Sequence, residues 1–113
     1  MKKIEAIIRP EKFQVLRDAL SSIGIGGLTI TEAAGTGKQK GQKGLFRGNT
    51  FQIQLLPKLK VEMVVDDHQV DQIIDQVIEN CYTGNIGDGK IFIYPIEEII
   101  RIRTKERGKE AVQ

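Results

Sequence analysis

The chain has 113 residues, 17 basic and 15 acidic side chains for a net charge of +2, only 5% aromatic residues and no tryptophan. This length gives one domain with one core, built mainly from isoleucine, valine and leucine, and the small charge excess argues against a bulk electrostatic nucleic-acid binder. One cysteine, Cys81, excludes an internal disulfide or multi-cysteine metal site; with no signal peptide and no apolar run of about 18 residues, a soluble cytoplasmic protein is expected.

Residues 4–8 alternate, with Ile4, Ala6 and Ile8 on one face, and predict a strand. Pro10 suits a first helical turn, and Phe13, Leu16, Leu20 and Ile23 then recur at near-helical spacing until Gly24 offers a left-handed cap. Gly26 and Gly27 lead into Leu28–Thr31, a β-branched run that predicts a second strand.

Residues 35–55, GTGKQKGQKGLFRGNTFQIQL, carry five glycines together with Lys38, Lys40, Lys43 and Arg47. A stretch this long without periodicity inside a compact domain points to a lid or binding loop. A β-hairpin whose lysines serve solubility is the plainer alternative. Phe46 and Phe51 favour a partner surface, because apolar rings on a basic loop are costly unless they dock.

After Pro57, Leu59, Val61, Met63 and Val65 alternate with Lys58, Lys60, Glu62 and Val64, predicting a third strand. Asp66 and Asp67 supply a helix cap, and Val70, Ile73, Ile74, Val77, Ile78 and Cys81 form one helical stripe. Cys81 on that stripe reads as a buried, inert thiol. The only histidine, His68, stands at the helix start, where an exposed side chain is the default.

Thr83–Lys90 reads TGNIGDGK. Gly84, Gly87 and Gly89 leave backbone N–H groups uncovered, and Lys90 can neutralise an anion placed there, which is phosphate-binding chemistry. Most of the Walker A spacing is met, but Ile91 stands where that motif needs Ser or Thr, and IFIYP suits a strand better than a phosphate-binding helix. A glycine turn feeding a strand stays open as the simpler reading. Lys90–Tyr94 is the fourth strand, and EEIIRIRT, residues 97–104, predicts a short last one with Arg101 and Arg103 on one face as an anion clamp, or as solvated charges on an edge.

The order strand, helix, strand, long loop, strand, helix, strand is a doubled βαβ. It predicts an α+β, ferredoxin-like fold with one antiparallel sheet, both helices on one face, and an open second face that oligomerisation would cover. RNA-recognition domains share this plan, and KGLFRGNTF loosely matches their basic-aromatic strand motif, so single-stranded RNA binding is a second reading.

KKIEAIIRPEK, LPKLKVEMVV, TGNIGDGKIF and IRIRT together give the chain, over nearly its whole length, a close resemblance to PII signal-transduction proteins. The resemblance implies a homotrimer of ferredoxin-like subunits with ATP or ADP bound between neighbours. It implies a T-loop at about 36–55, a B-loop at 83–90 and a C-terminal loop at about 101–113 in a single domain. By position, Gly35, Lys38, Ile86, Gly87, Asp88, Gly89 and Lys90 would line the nucleotide from one subunit, with Arg101 and Arg103 on its phosphates. Gly27, Leu28, Thr29, Glu62 and Val64 would surround the adenosine across the interface. Gln39, Lys40, Gly41 and Lys58 stand where the family places 2-oxoglutarate, Gln39 sharing a Mg2+ ion with ATP, and Phe46, Arg47 and Phe51 lie on the partner-binding arm.

Phe51 and Asn49 replace the tyrosine and serine that some family members modify, so neither modification can occur here. Lys38 stands where arginine is frequent, and Gly44 and Phe46 replace a glutamate and a tyrosine. The resemblance thus implies a sensor without catalytic chemistry, reading ATP against ADP with or without 2-oxoglutarate. Its target would be an ammonium channel, glutamine synthetase, a nitrogen regulator or another transport system. An energy-only variant and an ATP-hydrolysing enzyme are the alternatives.

Overall fold

The computed structural model describes residues 1–40 and 51–112. Four strands, β1 (Lys2–Ile8), β2 (Thr29–Lys40), β3 (Phe51–Val65) and β4 (Lys90–Pro95), form one antiparallel sheet in the order β2-β3-β1-β4. Two helices, α1 (Phe13–Ser22) and α2 (Val70–Cys81), cross between strands, which is the doubled βαβ expected from the periodicities.

Alternation decides which side of each strand is buried. Ile4, Ala6 and Ile8 of β1 and Val61, Met63 and Val65 of β3 turn to the helices, where they meet Leu16, Leu20, Ile73, Val77 and Cys81 in one core. Fully burying each of the larger of these side chains contributes about 1.5–3 kcal/mol. Ile78, placed on the buried stripe of α2 by spacing, is half exposed. α1 ends where Gly24 takes a φ of 87° and the Ile25 N–H reaches back to the Leu20 carbonyl at 2.9 Å. α2 is entered through a capping box in which the Asp66 N–H donates to Gln69 Oε1 at 3.0 Å.

The second sheet face carries Lys3, Glu5, Lys60 and Glu62 beside Ile7 and Val64 along its central strands. Lys3 Nζ lies 2.6 Å from Glu62 Oε2 and 5.3 Å from the Tyr94 ring centre, and this bond to Glu62 raises the Lys3 pKa and lowers that of Glu62. The aromatic residues of this face, Phe92 and Tyr94, sit on the edge strand β4. An RNA-recognition sheet needs stacking rings on its central strands, so this face does not favour that reading.

Two elements differ from the sequence expectation. β2 runs on to Lys40, paired residue by residue with β3 back to Phe51, so the described part of 35–55 follows the hairpin alternative and not the aperiodic loop. Pro57 sits within β3 opposite Ala34, beyond Leu59, the residue paired with the end of β1. One edge of β3 is free of β1 there, and a free edge tolerates a residue without an N–H. The expected strand at residues 97–104 is instead half of a small hairpin. Ile100 bridges to Arg107, the Arg101 N–H donates to the Glu106 carbonyl at 2.9 Å, and Lys105 turns the chain at a φ of 62°. Arg101 and Arg103 therefore do not share a strand face. The alternation in IIRIRT serves a local turn, and Arg101 pairs with Glu106 at 2.8 Å.

Candidate functional site

The glycine loop closes the sheet end at which β1 stops and β4 starts. Lys90 pairs with Ile7, so Gly89 must pass against the β1 backbone; a Cβ on it would lie 1.7 Å from the Ile7 carbonyl oxygen, and its φ is 106°. Only glycine fits there. Gly84 and Gly87 also take positive φ, 86° and 102°.

Asp88 holds the loop from inside. Its carboxylate accepts from the Thr83 hydroxyl, from the Thr83 and Gly84 N–H groups at 2.8 and 2.9 Å, and from Arg9 Nε at 3.2 Å. The Thr83 hydroxyl leads in holding its pKa well below the usual carboxylate range, followed by the loop amides and Arg9.

Three cations gather around this loop. Arg9, just past β1, also donates through Nη2 to the Ile86 carbonyl at 2.9 Å; Lys58 of β3 donates to the Gly87 carbonyl; Lys90 opens β4 exposed. Gly87 lies between the first two, since a Cβ on it would come 3.3 Å from Arg9 Nη2 and 3.5 Å from Lys58 Nζ. Gly35 lies along the Lys58 side chain, 3.4 Å from its Cγ by the same measure. A side-chain-free backbone flanked by three cations is chemically suited to a polyphosphate or carboxylate.

The residues matched to the adenosine group lie elsewhere. Thr29 pairs with Glu62 across β2 and β3, and Gly27 and Val64 line a cavity of about 380 Å³ with Asp66, Gln69 and Val112. Leu28 is half-buried between them in sequence. Val64 is six residues from Lys58 along β3, about 20 Å at strand spacing, so one chain does not bring the two groups together. Ile86 at the loop tip and Ile102 between the two arginines are 97% and 95% exposed.

Lys38, Gln39 and Lys40 form the far part of β2 and Phe51 starts β3. Their side chains, with Gly41, Phe46 and Arg47, lie outside the described residues. Among the described residues no three His, Cys, Asp or Glu side chains gather to hold a metal. His68 is exposed, and Cys81 is buried with its thiol pushed up to about 11 by desolvation.

Sequence reasoning misses Arg9 and Thr83 as site residues. Thr83 is legible as a side-chain acceptor two residues ahead of Asn85, whose N–H donates to its hydroxyl at 3.1 Å. Arg9 carries no local signal, because its importance comes from the pairing of β1 with β4.

A ferredoxin-like sheet with a cation-flanked glycine loop at one end and a two-stranded arm rooted beside it defines a small α+β domain of a recognisable class. The chain belongs to the family described as nitrogen regulatory protein P-II, whose model matches residues 1–106. It is 53% identical over 112 residues to the nitrogen regulatory protein P-II of Pasteurella multocida and 54% identical to that of Nostoc punctiforme, in each case covering 99% of this chain and 100% of the relative. Among solved structures it is similar to B. subtilis GlnK, with a TM-score of 0.82 and 40% identity, covering 97% of this chain and 96% of that one. It is also similar to Arabidopsis thaliana PII bound to citrate, with a TM-score of 0.80 and 39% identity, covering 99% and 89%.

Proposed function

We propose that this chain is a non-enzymatic sensor of adenine nucleotides that assembles as a homotrimer and passes its state to a partner protein through the β2–β3 arm. One observation carries this reading. The cation-flanked loop and the Gly27–Thr29, Glu62 and Val64 group stand at separate places on one subunit, as two halves of a site that a neighbouring copy would complete. The nearly bare side chains of Ile86 and Ile102 favour the same assembly, since apolar groups so exposed gain by being covered.

In this reading ATP and ADP compete for one cleft. Lys90 and the loop amides take the phosphates, Arg103 and, on release from Glu106, Arg101 would add to their charge, and the presence of the γ-phosphate biases the arm. Lys58 joins the loop to the arm, because its ammonium bonds Gly87 while its stem lies along Gly35. A small dicarboxylate such as 2-oxoglutarate would compete for that ammonium, with Mg2+ held by the phosphates and Gln39. A relative solved with citrate supports such a carboxylate site. The target is a transport system, an ammonium channel among the candidates, or a nitrogen-metabolism enzyme, met in the cytoplasm.

Calorimetry with ATP and with ADP, each with Mg2+ and with or without 2-oxoglutarate, tests this. Saturable binding of both nucleotides without turnover is the expected result. Absence of nucleotide binding, or a monomer by light scattering, would sink the proposal, and ATP hydrolysis lost in Lys90→Ala would replace it with an enzyme. Nucleotide binding indifferent to 2-oxoglutarate would mark the energy-only variant.

A further inference from the structure

The cations around the glycine loop are not spent alike. Lys90 is exposed, whereas Arg9 is engaged through two of its three guanidinium nitrogens, Nε on Asp88 at 3.2 Å and Nη2 on the Ile86 carbonyl at 2.9 Å. Its partner Asp88 is engaged as well, on the N–H groups of Thr83 and Gly84 and on the Thr83 hydroxyl. The Asn85 N–H goes to that same hydroxyl. The first three amides of the loop are therefore closed off internally.

The next peptides behave in the opposite sense. The Ile86 carbonyl accepts from Arg9 and the Gly87 carbonyl from Lys58. A trans peptide points its N–H away from its carbonyl, so each of these bonds aims the following amide, Gly87 or Asp88, away from the cation that holds it. Among the described residues neither amide donates to a backbone or side-chain acceptor. Two adjacent N–H groups left without an internal acceptor are available to an anion.

We infer that Arg9 is a positioning residue, which acts on a bound phosphate through the backbone and not by its own charge. Clamped by Asp88 on one arm, it holds the Ile86–Gly87 peptide with the other, so that the Gly87 and Asp88 amides face the anion. Asp88 likewise contributes by fixing Arg9 and the front of the loop, with its carboxylate turned from the phosphates. This rests on the nucleotide reading and adds to it the device that orients the loop.

Four variants test the inference by isothermal calorimetry with MgATP and with adenosine, alongside the 15N–1H spectrum of the ligand-free protein. Arg9→Lys keeps the positive charge but cannot serve Asp88 and the Ile86 carbonyl together. It is expected to weaken ATP about as much as Arg9→Gln, about tenfold for the loss of a charge-assisted bond, with adenosine affinity unchanged and the Gly87 and Asp88 amide resonances displaced. Asp88→Asn is also expected to weaken ATP, although it removes a negative charge from a phosphate site. Joined with Arg9→Lys it should add little, because both changes break one clamp.

An Arg9→Lys variant that binds ATP like wild type, or an Asp88→Asn variant that binds it more tightly, overturns the inference while leaving the nucleotide reading in place. Losses that add in the double variant also overturn it. Wild-type protein that binds no ATP removes the nucleotide reading and this inference together. Should Arg9→Lys fail to fold, Asp88→Asn alone decides by the direction of its effect.

Discussion

Replacing Gly89 by alanine tests how the site is built, because the added methyl has nowhere to go. The new Cβ would lie 1.7 Å from the Ile7 carbonyl oxygen and 2.8 Å from its carbon, both backbone atoms that no rotamer change can move. That first separation must nearly double, which requires β4 to part from β1 at the Ile7–Lys90 pair. A side chain held at a φ of 106° costs about 1–3 kcal/mol, and each ladder hydrogen bond lost there about 0.5–1.5 kcal/mol more. Together these give about 3–5 kcal/mol, or a Tm lowered by about 12–20 °C for a domain of this size. Gly26→Ala is the control, since a Cβ there meets nothing within 4 Å. Thermal unfolding by circular dichroism, with ATP titrated into each folded variant, should show a large loss of stability and of binding for Gly89→Ala and little for Gly26→Ala. Equal melting temperatures for the two would refute the account of the loop junction.

Leu20→Ala removes a fully buried core side chain and should cost about 2–5 kcal/mol in urea unfolding. Cys81 should resist thiol reagents at neutral pH until the chain unfolds. Because its folded value of about 11 lies above its ordinary 9.0, the unfolded thiol ionises first, and the Cys81 contribution to stability falls as pH rises from about 9 to about 11. Pairwise comparison with Cys81→Ala should isolate that fall. The Asp88 carboxylate, held below the usual range, should show by 13C NMR a titration displaced to acid, and Thr83→Val should move it back toward the ordinary value. Its contribution to loop stability is present at neutral pH and lost as pH falls through its folded pKa.

Elements with a clean period are legible in the sequence. Ile4, Ala6 and Ile8 mark β1, and the 3.6-residue stripe ending at Cys81 marks α2, because burial of one face selects those spacings directly. The arm reads as a loop because Gly35, Gly37 and Pro57 are punctuation in isolation. They lose that meaning where two strands run beyond the sheet, and at Gly37 a Cβ would press on Leu56 of the paired strand at 3.0 Å. IIRIRT misleads for the converse reason, since alternation reports two faces without saying whether a sheet or a local hairpin supplies them. For the site, the glycines and Lys90 announce themselves in one short stretch. Arg9 belongs to a different stretch and becomes visible only when strand pairing brings it to Asp88.

The arm extends from Ala33 opposite Lys58 to Lys40 opposite Phe51, about 23 Å of two-stranded ribbon continuous with the sheet. Mechanically it is a lever whose fulcrum lies beside Gly87. A turn of about 10° at its root would carry its far end about 4 Å, with no hydrogen bond of the ribbon itself broken. A small rotation where Lys58 meets Gly87 is thus magnified several-fold along the ribbon, at no cost in its own pairing.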